Sequence, residues 1–536
     1  MIKWIIDWSI RHRMVVLLAT VAFVAAAAFS ARDLPLDALP DLSDTQVIVR
    51  ATYAGHAPEL VDNQVTYPIA SGLLALQDAT YVRGFSMFGE SYVYVIFASH
   101  VDPVAARTRV SERLAQIRGQ LPDGVTPTLG PDASGTGWIF EYSLIDRSHR
   151  IPPDRLRALQ DDYLRPELQS VQGVAEVASV GSSPRQYEVQ VDPRRLASLN
   201  IRMSDVVDAI RDANQSIGGG SFEMSRSQFV LRADGQLHSP ADFDDIAVAA
   251  SNGTTVRLKQ IANVAVVPKV QEGLTDIDGK GEAVSGIVVM RQGENTLATI
   301  ERVRAKLDTL KGGLPAGVEA VAQYDRSTLI HKAIETLDHK LIEESLAVAF
   351  VCVIFLFHLR SSLAAIATLP VGILGALLVL RLQGSSANIM SLGGIAIAIG
   401  AMIDASIVMI ENLHRRLESH PGLNPAQRWA LVRECAIDVG PSLYFSLAII
   451  TLSFLSIFGL SDQQAKLFFP LAFTKTYSMA FGALLSITLT PVLMGYAVRG
   501  RVHRESANPL NRWLQRVYRP ALYAALRHPK RALGLG

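Results

Sequence analysis

The stretch Asn388-Ile-Met-Ser-Leu-Gly-Gly-Ile-Ala-Ile-Ala-Ile-Gly-Ala-Met-Ile-Asp-Ala-Ser-Ile-Val-Met-Ile-Glu-Asn412 decides the fold. It is apolar over more than the roughly 20 residues that a helix needs to cross a bilayer, and it contains no proline. Asp404 interrupts it past the middle, where a charged side chain costs roughly 3 kcal/mol to insert. At about 100° per residue, Asp404 and Glu411 share one face, and Met402 and Met409 fall well round the helix from them. Asp404 reads as a proton-carrying group, against the plainer reading of a carboxylate satisfied by a neighbouring span. Glu411 reads as a hydrated residue near the cytoplasmic end. Methionine inside a membrane helix is commonly gap-filling core, but a thioether is also a soft ligand that selects Cu(I) and similar ions. Met390 opens the same helix, and Met479 and Met494 lie further on. Gly393, Gly394 and Gly400 permit close helix packing.

Five further apolar runs surround this one: Met14–Phe29 upstream, then Leu341–Phe357, Ala364–Leu380, Val439–Leu460 and Leu467–Val498, the last long enough to tilt or to outrun the lipid. Lys3, Arg11 and Arg13 precede the first run. With no small-residue cleavage site before Pro35 and Pro40, it reads as an uncleaved anchor rather than a cleaved signal. Lys475 in the last run is a second costly charge, set to snorkel outward or to pair with a carboxylate.

Charge orients the set. Residues 499–536 carry nine Lys or Arg against one acid, Glu505, whereas the short loops 381–388 and 461–466 carry one basic residue each. Positive residues concentrate on the cytoplasmic side, which places the long 31–340 loop outside the cytoplasm. An anionic-lipid or nucleic-acid patch is the rival reading of the same tail. The whole chain, at 536 residues, is 49 % apolar and 19 % charged with a net charge of +1, which argues against a basic nucleic-acid binder. Two distant cysteines, Cys352 and Cys435, suggest neither a disulfide framework nor a zinc site.

The long loop reads as mixed α/β. Strand-like Val47–Tyr53, a helix over Ala57–Leu76 and a hairpin in Thr80–Phe97 broken at Phe88-Gly-Glu lead to a polar helix, Pro103–Gln120. Leu121-Pro-Asp-Gly-Val125 ends that helix, and Leu314-Pro-Ala-Gly-Val318 ends another with the same elements on both sides. The pair, Tyr92–Thr128 and Val284–Ala322, predicts duplicated βαβ subdomains. Between them, Arg185–Val267 alternates strands with a helix near Met203–Asn214, and Gly218-Gly-Gly220 reads as a loop tip. No phosphate-binding loop is present, so any pumping draws on something other than ATP.

Long strings of the chain resemble the heavy-metal efflux pumps of the resistance-nodulation-division superfamily, the CusA and CzcA type. They include Asp41-Leu-Ser-Asp-Thr-Gln-Val-Ile-Val49, Asn63-Gln-Val-Thr-Tyr-Pro68, Arg83-Gly-Phe-Ser-Met-Phe-Gly-Glu-Ser-Tyr-Val-Tyr-Val-Ile-Phe97, Gly130-Pro-Asp-Ala-Ser-Gly-Thr-Gly-Trp138, Gly181–Pro193 and Leu471-Ala-Phe-Thr-Lys-Thr-Tyr477. The resemblance implies an α+β membrane protein: six transmembrane helices with a large periplasmic ferredoxin-like porter and docking insertion after the first. Its divisions fall at 1–30 (first helix), 31–184 (porter), 185–267 (docking), 268–340 (porter, second repeat), 341–498 (helices two to six) and 499–536 (basic segment leading to a seventh helix).

The same resemblance implies a homotrimeric proton antiporter of the bacterial inner membrane, working with a periplasmic adaptor and an outer-membrane channel. It needs no cofactor and binds no nucleic acid, and it is a transporter rather than an enzyme. Asp404 would belong to the proton relay. Ala398 stands where the zinc, cobalt and cadmium pumps carry a further acid, which matches the Cu(I)/Ag(I) subclass. Met390, Met402, Met409, Met479 and Met494 match its thioether path, from which Val270 departs. Full-length relatives carry a second half, so the chain is expected to be the N-terminal half of a pump. The alternatives are a divalent-cation pump, a non-pumping truncated fragment and, more weakly, drug efflux.

Overall fold

In the computed structural model, the described residues are 1–224, 226–251, 254–271, 273–356, 359–420, 423–498 and 509–529. Much of the basic tail, including Arg499, Arg501, Arg504, Glu505, Lys530 and Arg531, lies outside them, as does Phe357 at the end of the second apolar run.

Outside the helical bundle, the chain builds the same unit twice. The first runs β1 (Thr45–Thr52), a helical stretch over 58–74, β2 (Ala79–Met87), β3 (Glu90–Phe97), the helix Pro103–Ile117 and β4 (Thr128–Leu129). Its strands pair antiparallel in the order β2-β3-β1-β4. Alternation drives the layering: Val47, Val49 and Ala51 point into the core under the helices, whereas Arg50 and Thr52 point away. The second unit starts with β5 (Trp138–Asp146), a helical stretch over 153–169 and β6 (Val174–Val180).

A separate layer follows before that unit resumes. It contains β7 (Arg185–Val191), the exposed hairpin of β8 (Ile217–Met224) and β9 (Ser227–Ala233), β10 (Ala247–Ser251), β11 (Thr254–Arg257) and β12 (Ala262–Pro268), with its own small core around Leu258 and Ile261. Then β13 (Val284–Met290), the helix Thr296–Leu310 and β14 (Val318–Asp325) complete a sheet in the order β14-β5-β13-β6. Strand for strand, this repeats the first sheet, with residues 185–268 inserted where the first unit has the tight Phe88-Gly89 turn. Both are the βαββαβ arrangement of ferredoxin-like folds.

Local chemistry explains the likeness. Each unit's first helical stretch slips by one residue into a π turn, Asp62–Thr66 and Gln160–Leu164. Pro68 and Pro166 follow at the second position of the next helical segment, where a prolyl nitrogen has no hydrogen to donate. Each second helix tightens into a 3-10 turn, 118–120 and 311–313, before the Leu-Pro-x-Gly-Val turn. The glycines of those turns, Gly124 and Gly317, have φ of 84° and 92°, which an L side chain rarely adopts. Gly218–Gly220, by contrast, does not form a loop tip. It lies within β8, where the register against β9 shifts between Gly218 and Ser221, a bulge that glycine permits.

The helices are Ile2–Arg11, Arg13–Ala31, Ser327–Leu356, Leu359–Ile366 with Thr368–Leu382, Ile389–Ser419, Pro425–Ser453, Asp462–Ile487, Leu489–Ala497 and the basic Pro509–Arg527. Among the described residues, four are long and apolar enough to cross a membrane, or five if Gln463–Ile487 and Leu489–Ala497 form one bent span. The apolar run Leu467–Val498 is thus not one straight helix: it bends by 53° at Thr488. Pro491 causes this, because it cannot donate to the carbonyl of Ile487. The second apolar run ends the 30-residue helix Ser327–Leu356, whose first half is polar.

Candidate ion-transport site

The helix Ile389–Ser419 is the centre of the bundle. Asn388 caps it, accepting from the Ser391 amide at 3.0 Å while the Ser391 hydroxyl accepts from the Asn388 amide at 2.7 Å. Ile395, Ala398, Ile399, Met402, Ile403, Ala405, Met409 and Ile410 are buried against neighbouring helices. The opposite face is open: Ile397, Gly400, Asp404, Val408, Glu411 and Arg415 recur every three or four residues and are all exposed. The carboxylate–thioether division expected from helical spacing is therefore a division between open and packed surface.

Four of the five candidate methionines meet in one core. Met402, Met409, Met479 and Met494 are at most 3 % exposed and belong to the same contiguous apolar cluster. Met402 fills a notch between two glycines on other helices. A Cβ on Gly372 would lie 2.2 Å from its Cε, and one on Gly482 would lie 2.8 Å from its Cγ. Met409 reaches toward Gly440, beside Ile6 of the first helix. Met390, the second residue of the helix, is half-buried and stands outside this cluster.

The three glycines of this helix do not act alike. At Gly394 a Cβ would sit 2.3 Å from the Thr474 hydroxyl and 2.5 Å from the Leu471 carbonyl, so only glycine admits this approach of two backbones. Gly393 and Gly400 face open space. Lys475, on the helix Asp462–Ile487, is 8 % exposed, and its ammonium lies 3.2 Å from the Phe454 ring centroid, a cation–π contact rather than a carboxylate pair. Glu411 pairs with Arg415 one turn on, at 2.8 Å.

Two groups escaped the sequence reading. His414 is buried and within 2.8 Å of the Ser361 hydroxyl. Ser406, two residues past Asp404 but on the packed side, lies 3.4 Å from Thr368 and 3.5 Å from Thr490. Small hydroxyls in apolar helices were the available signal. Among the described residues, no cluster of His, Cys, Asp or Glu is built to hold a metal ion. An ion in this bundle would therefore meet thioethers, hydroxyls, the Cys435 thiol and the His414 ring.

In the two α/β units several carboxylates are satisfied locally. Asp146 accepts from the Ser148 hydroxyl at 2.6 Å and from the amides of Ile151, Ser148 and Arg150 at 2.8 Å each. Those donors hold its carboxyl down at about 2. Arg50 forks onto Glu90 at 2.9 and 3.0 Å and keeps that carboxyl below its ordinary value. On the first helix, Arg433 and Arg11 do the same for Asp7.

The profile of the AcrB/AcrD/AcrF family matches residues 5–535. The chain belongs to that family. It is 49 % identical to the cation efflux system protein CusA of Escherichia coli over 99 % of its own length and 52 % of that protein. Against the cobalt-zinc-cadmium resistance protein CzcA of Cupriavidus metallidurans the identity is 33 %, over 98 % of the chain and 50 % of that protein. The crystal structure of a heavy metal efflux pump, form II, superposes with a TM-score of 0.83 at 26 % identity, covering 99 % of the chain and 50 % of the pump. The chain thus spans about half the length of the family relatives it matches.

Proposed function

We infer that the chain contributes to a proton-driven efflux permease of the bacterial inner membrane whose cargo is Cu(I) or Ag(I). The observation that carries this reading is the two-sided helix Ile389–Ser419: a carboxylate on the open face of an apolar helix, with buried thioethers behind it. A carboxylate at such a depth is costly unless it exchanges protons or meets a partner. Asp404 takes a proton from the periplasmic side and releases it inward, and the change of charge biases the position of its helix. Met390, Met402, Met409, Met479 and Met494 offer a soft cation successive sulfur ligands.

The bundle supplies six spans in this reading, counting Ser327–Leu356 and taking the bent pair as one. Residues 31–184 and 268–340 serve as porter subdomains and 185–267 as the docking subdomain, and the permease works as a homotrimer with a periplasmic adaptor and an outer-membrane channel. Identity to CusA well above that to CzcA, together with Ala398 in place of a further acid, favours monovalent over divalent cargo.

The test is tolerance in a bacterial strain deleted for its own copper and silver efflux genes, complemented with the complete gene product and its adaptor and channel. The wild type is expected to restore growth on silver but not on zinc, and Asp404→Asn to restore neither. Growth on zinc alone would move the reading to divalent cargo. Silver tolerance unchanged in Asp404→Asn would remove the relay assignment.

A further inference from the structure

The segment after the first membrane helix binds in two directions at once. Its backbone is laced to the loop that opens the helix carrying Asp404: the Asp37 amide donates to the Ala387 carbonyl at 2.9 Å, the Ala387 amide to the Pro35 carbonyl at 2.9 Å, and the Ile389 amide to the Ala38 carbonyl at 3.2 Å. The Asp37 side chain points the other way, into the second porter unit. One carboxylate oxygen accepts from the Thr296 hydroxyl at 2.8 Å, at the first residue of the helix Thr296–Leu310. The other accepts from the Ala38 amide at 2.6 Å and faces Arg326 at 3.5 Å.

Arg326 is itself a joint. It lies between the end of β14 and the start of Ser327–Leu356, its amide donates to the Ile139 carbonyl at 3.1 Å, and its guanidinium donates to the Trp138 carbonyl at 2.8 Å. Its side chain is only 7 % exposed, yet among the described residues its Nε finds no hydrogen-bond partner. A buried guanidinium with one idle donor and a loose carboxylate contact is incompletely satisfied, and that costs free energy. Shortening the Asp37 contact to an ordinary 2.9 Å requires a shift of well under an ångström. The carboxylate that faces Arg326 is thus carried by the 35–38 segment, whose backbone also bonds Ala387 and Ile389 at the start of the Asp404 helix.

We propose that the Asp37–Arg326 pair, with Thr296, is the joint that transmits movement of the Asp404 helix to the second porter unit, Arg326 acting as a positioning residue for transport. This rests on the efflux reading given above. The pair holds the porter unit in register with the membrane helix, so a change at Asp404 reaches Thr296–Leu310 through one carboxylate whose backbone belongs to the membrane side.

The test is hydrogen exchange in residues 296–310 of the complete gene product in detergent, for wild type, Asp404→Asn, Arg326→Gln and the double variant, with Thr296→Val as a gentler break that removes one hydroxyl. Asp404→Asn is expected to change exchange in 296–310 at least threefold. Arg326→Gln is expected to abolish that response, and Thr296→Val to halve it. An Asp404→Asn response that persists undiminished in both backgrounds, or is absent in the wild-type background, overturns the joint. Silver-driven proton movement in vesicles, measured on the same proteins, separates the two readings. If the wild type moves neither ion, the efflux reading fails whatever the exchange data show. If it moves both, and Arg326→Gln does so within twofold of wild type, the joint fails and the efflux reading stands. With the joint intact, Arg326→Gln slows transport at least tenfold, and Arg326→Lys recovers part of the rate.

Discussion

The two flanks of the helix Ile389–Ser419 each carry a glycine of the same Gly393-Gly394 pair, yet one is packed and the other is open. On the packed flank, close fits come from outside the helix: glycines at 372 and 482 make room for Met402, and Gly394 lets the Leu471–Thr474 backbone come close. On the open flank, Gly393 and Gly400 meet nothing, and Asp404 stands exposed. Packing density fixes the first flank, since a close-packed interior tolerates little change of volume. The second carries an ionisable group in an apolar helix, at a cost that packing does not return.

Adjacent glycines give the sharpest way to break this contrast. Gly394→Ala places a methyl carbon against a backbone carbonyl and is expected to destabilise the bundle by about 3 kcal/mol, read as a lower unfolding temperature in detergent. Equal stability of wild type and variant would mean that the two helices are not in the contact described. Met402→Leu keeps the volume, so it should cost less than about 1.5 kcal/mol in stability. If the sulfur ligates, silver transport nevertheless falls about tenfold, equivalent to roughly 1.4 kcal/mol. Unchanged transport would reduce Met402 to a filler. Gly393→Ala, one residue from the first site, adds a methyl to open space and gains up to about 1 kcal/mol of helix propensity. A destabilisation like that of Gly394→Ala would erase the distinction between flanks.

The α/β units outside the bundle, where Asp146 is satisfied by its own loop, supply the smallest effect. The Asp146 carboxyl is held near 2, below the ordinary value of 3.8. A depressed carboxyl stabilises the fold above its unfolded value, and that contribution disappears as pH falls through the folded one. Asp146→Asn should therefore lower protease resistance of the second porter unit at neutral pH. The gap to wild type should narrow between about pH 4 and pH 2. A gap that is constant with pH would show that the four donors to Asp146 do not depend on its charge.

The periplasmic architecture was legible because its signals are local. The paired Leu-Pro-x-Gly-Val turns marked equivalent places in two units, and strand alternation located the sheets around them. The insertion of 185–268 inside the second sheet was not legible, because pairing of β6 with β13 joins strands on either side of it. Spacing placed Asp404 and the methionines on different sides of one helix, but which side is packed depends on residues elsewhere, such as Gly372 and Gly482. Met390 fitted the same pattern in sequence and lies outside the cluster, since it sits before the helix reaches the bundle core. Asp37 and Arg326 carry no shared motif, and only the fold brings them together.

The central claim is that Asp404 couples proton movement to export of a soft monovalent cation. Its most direct test is proton flux in vesicles holding the complete gene product, followed with an internal pH dye on addition of Ag(I) under an imposed proton gradient. The wild type should show a silver-dependent proton flux, and Asp404→Asn should lose it on the order of 100-fold while unfolding at the same temperature. A silver-dependent flux of equal size in Asp404→Asn would contradict the account.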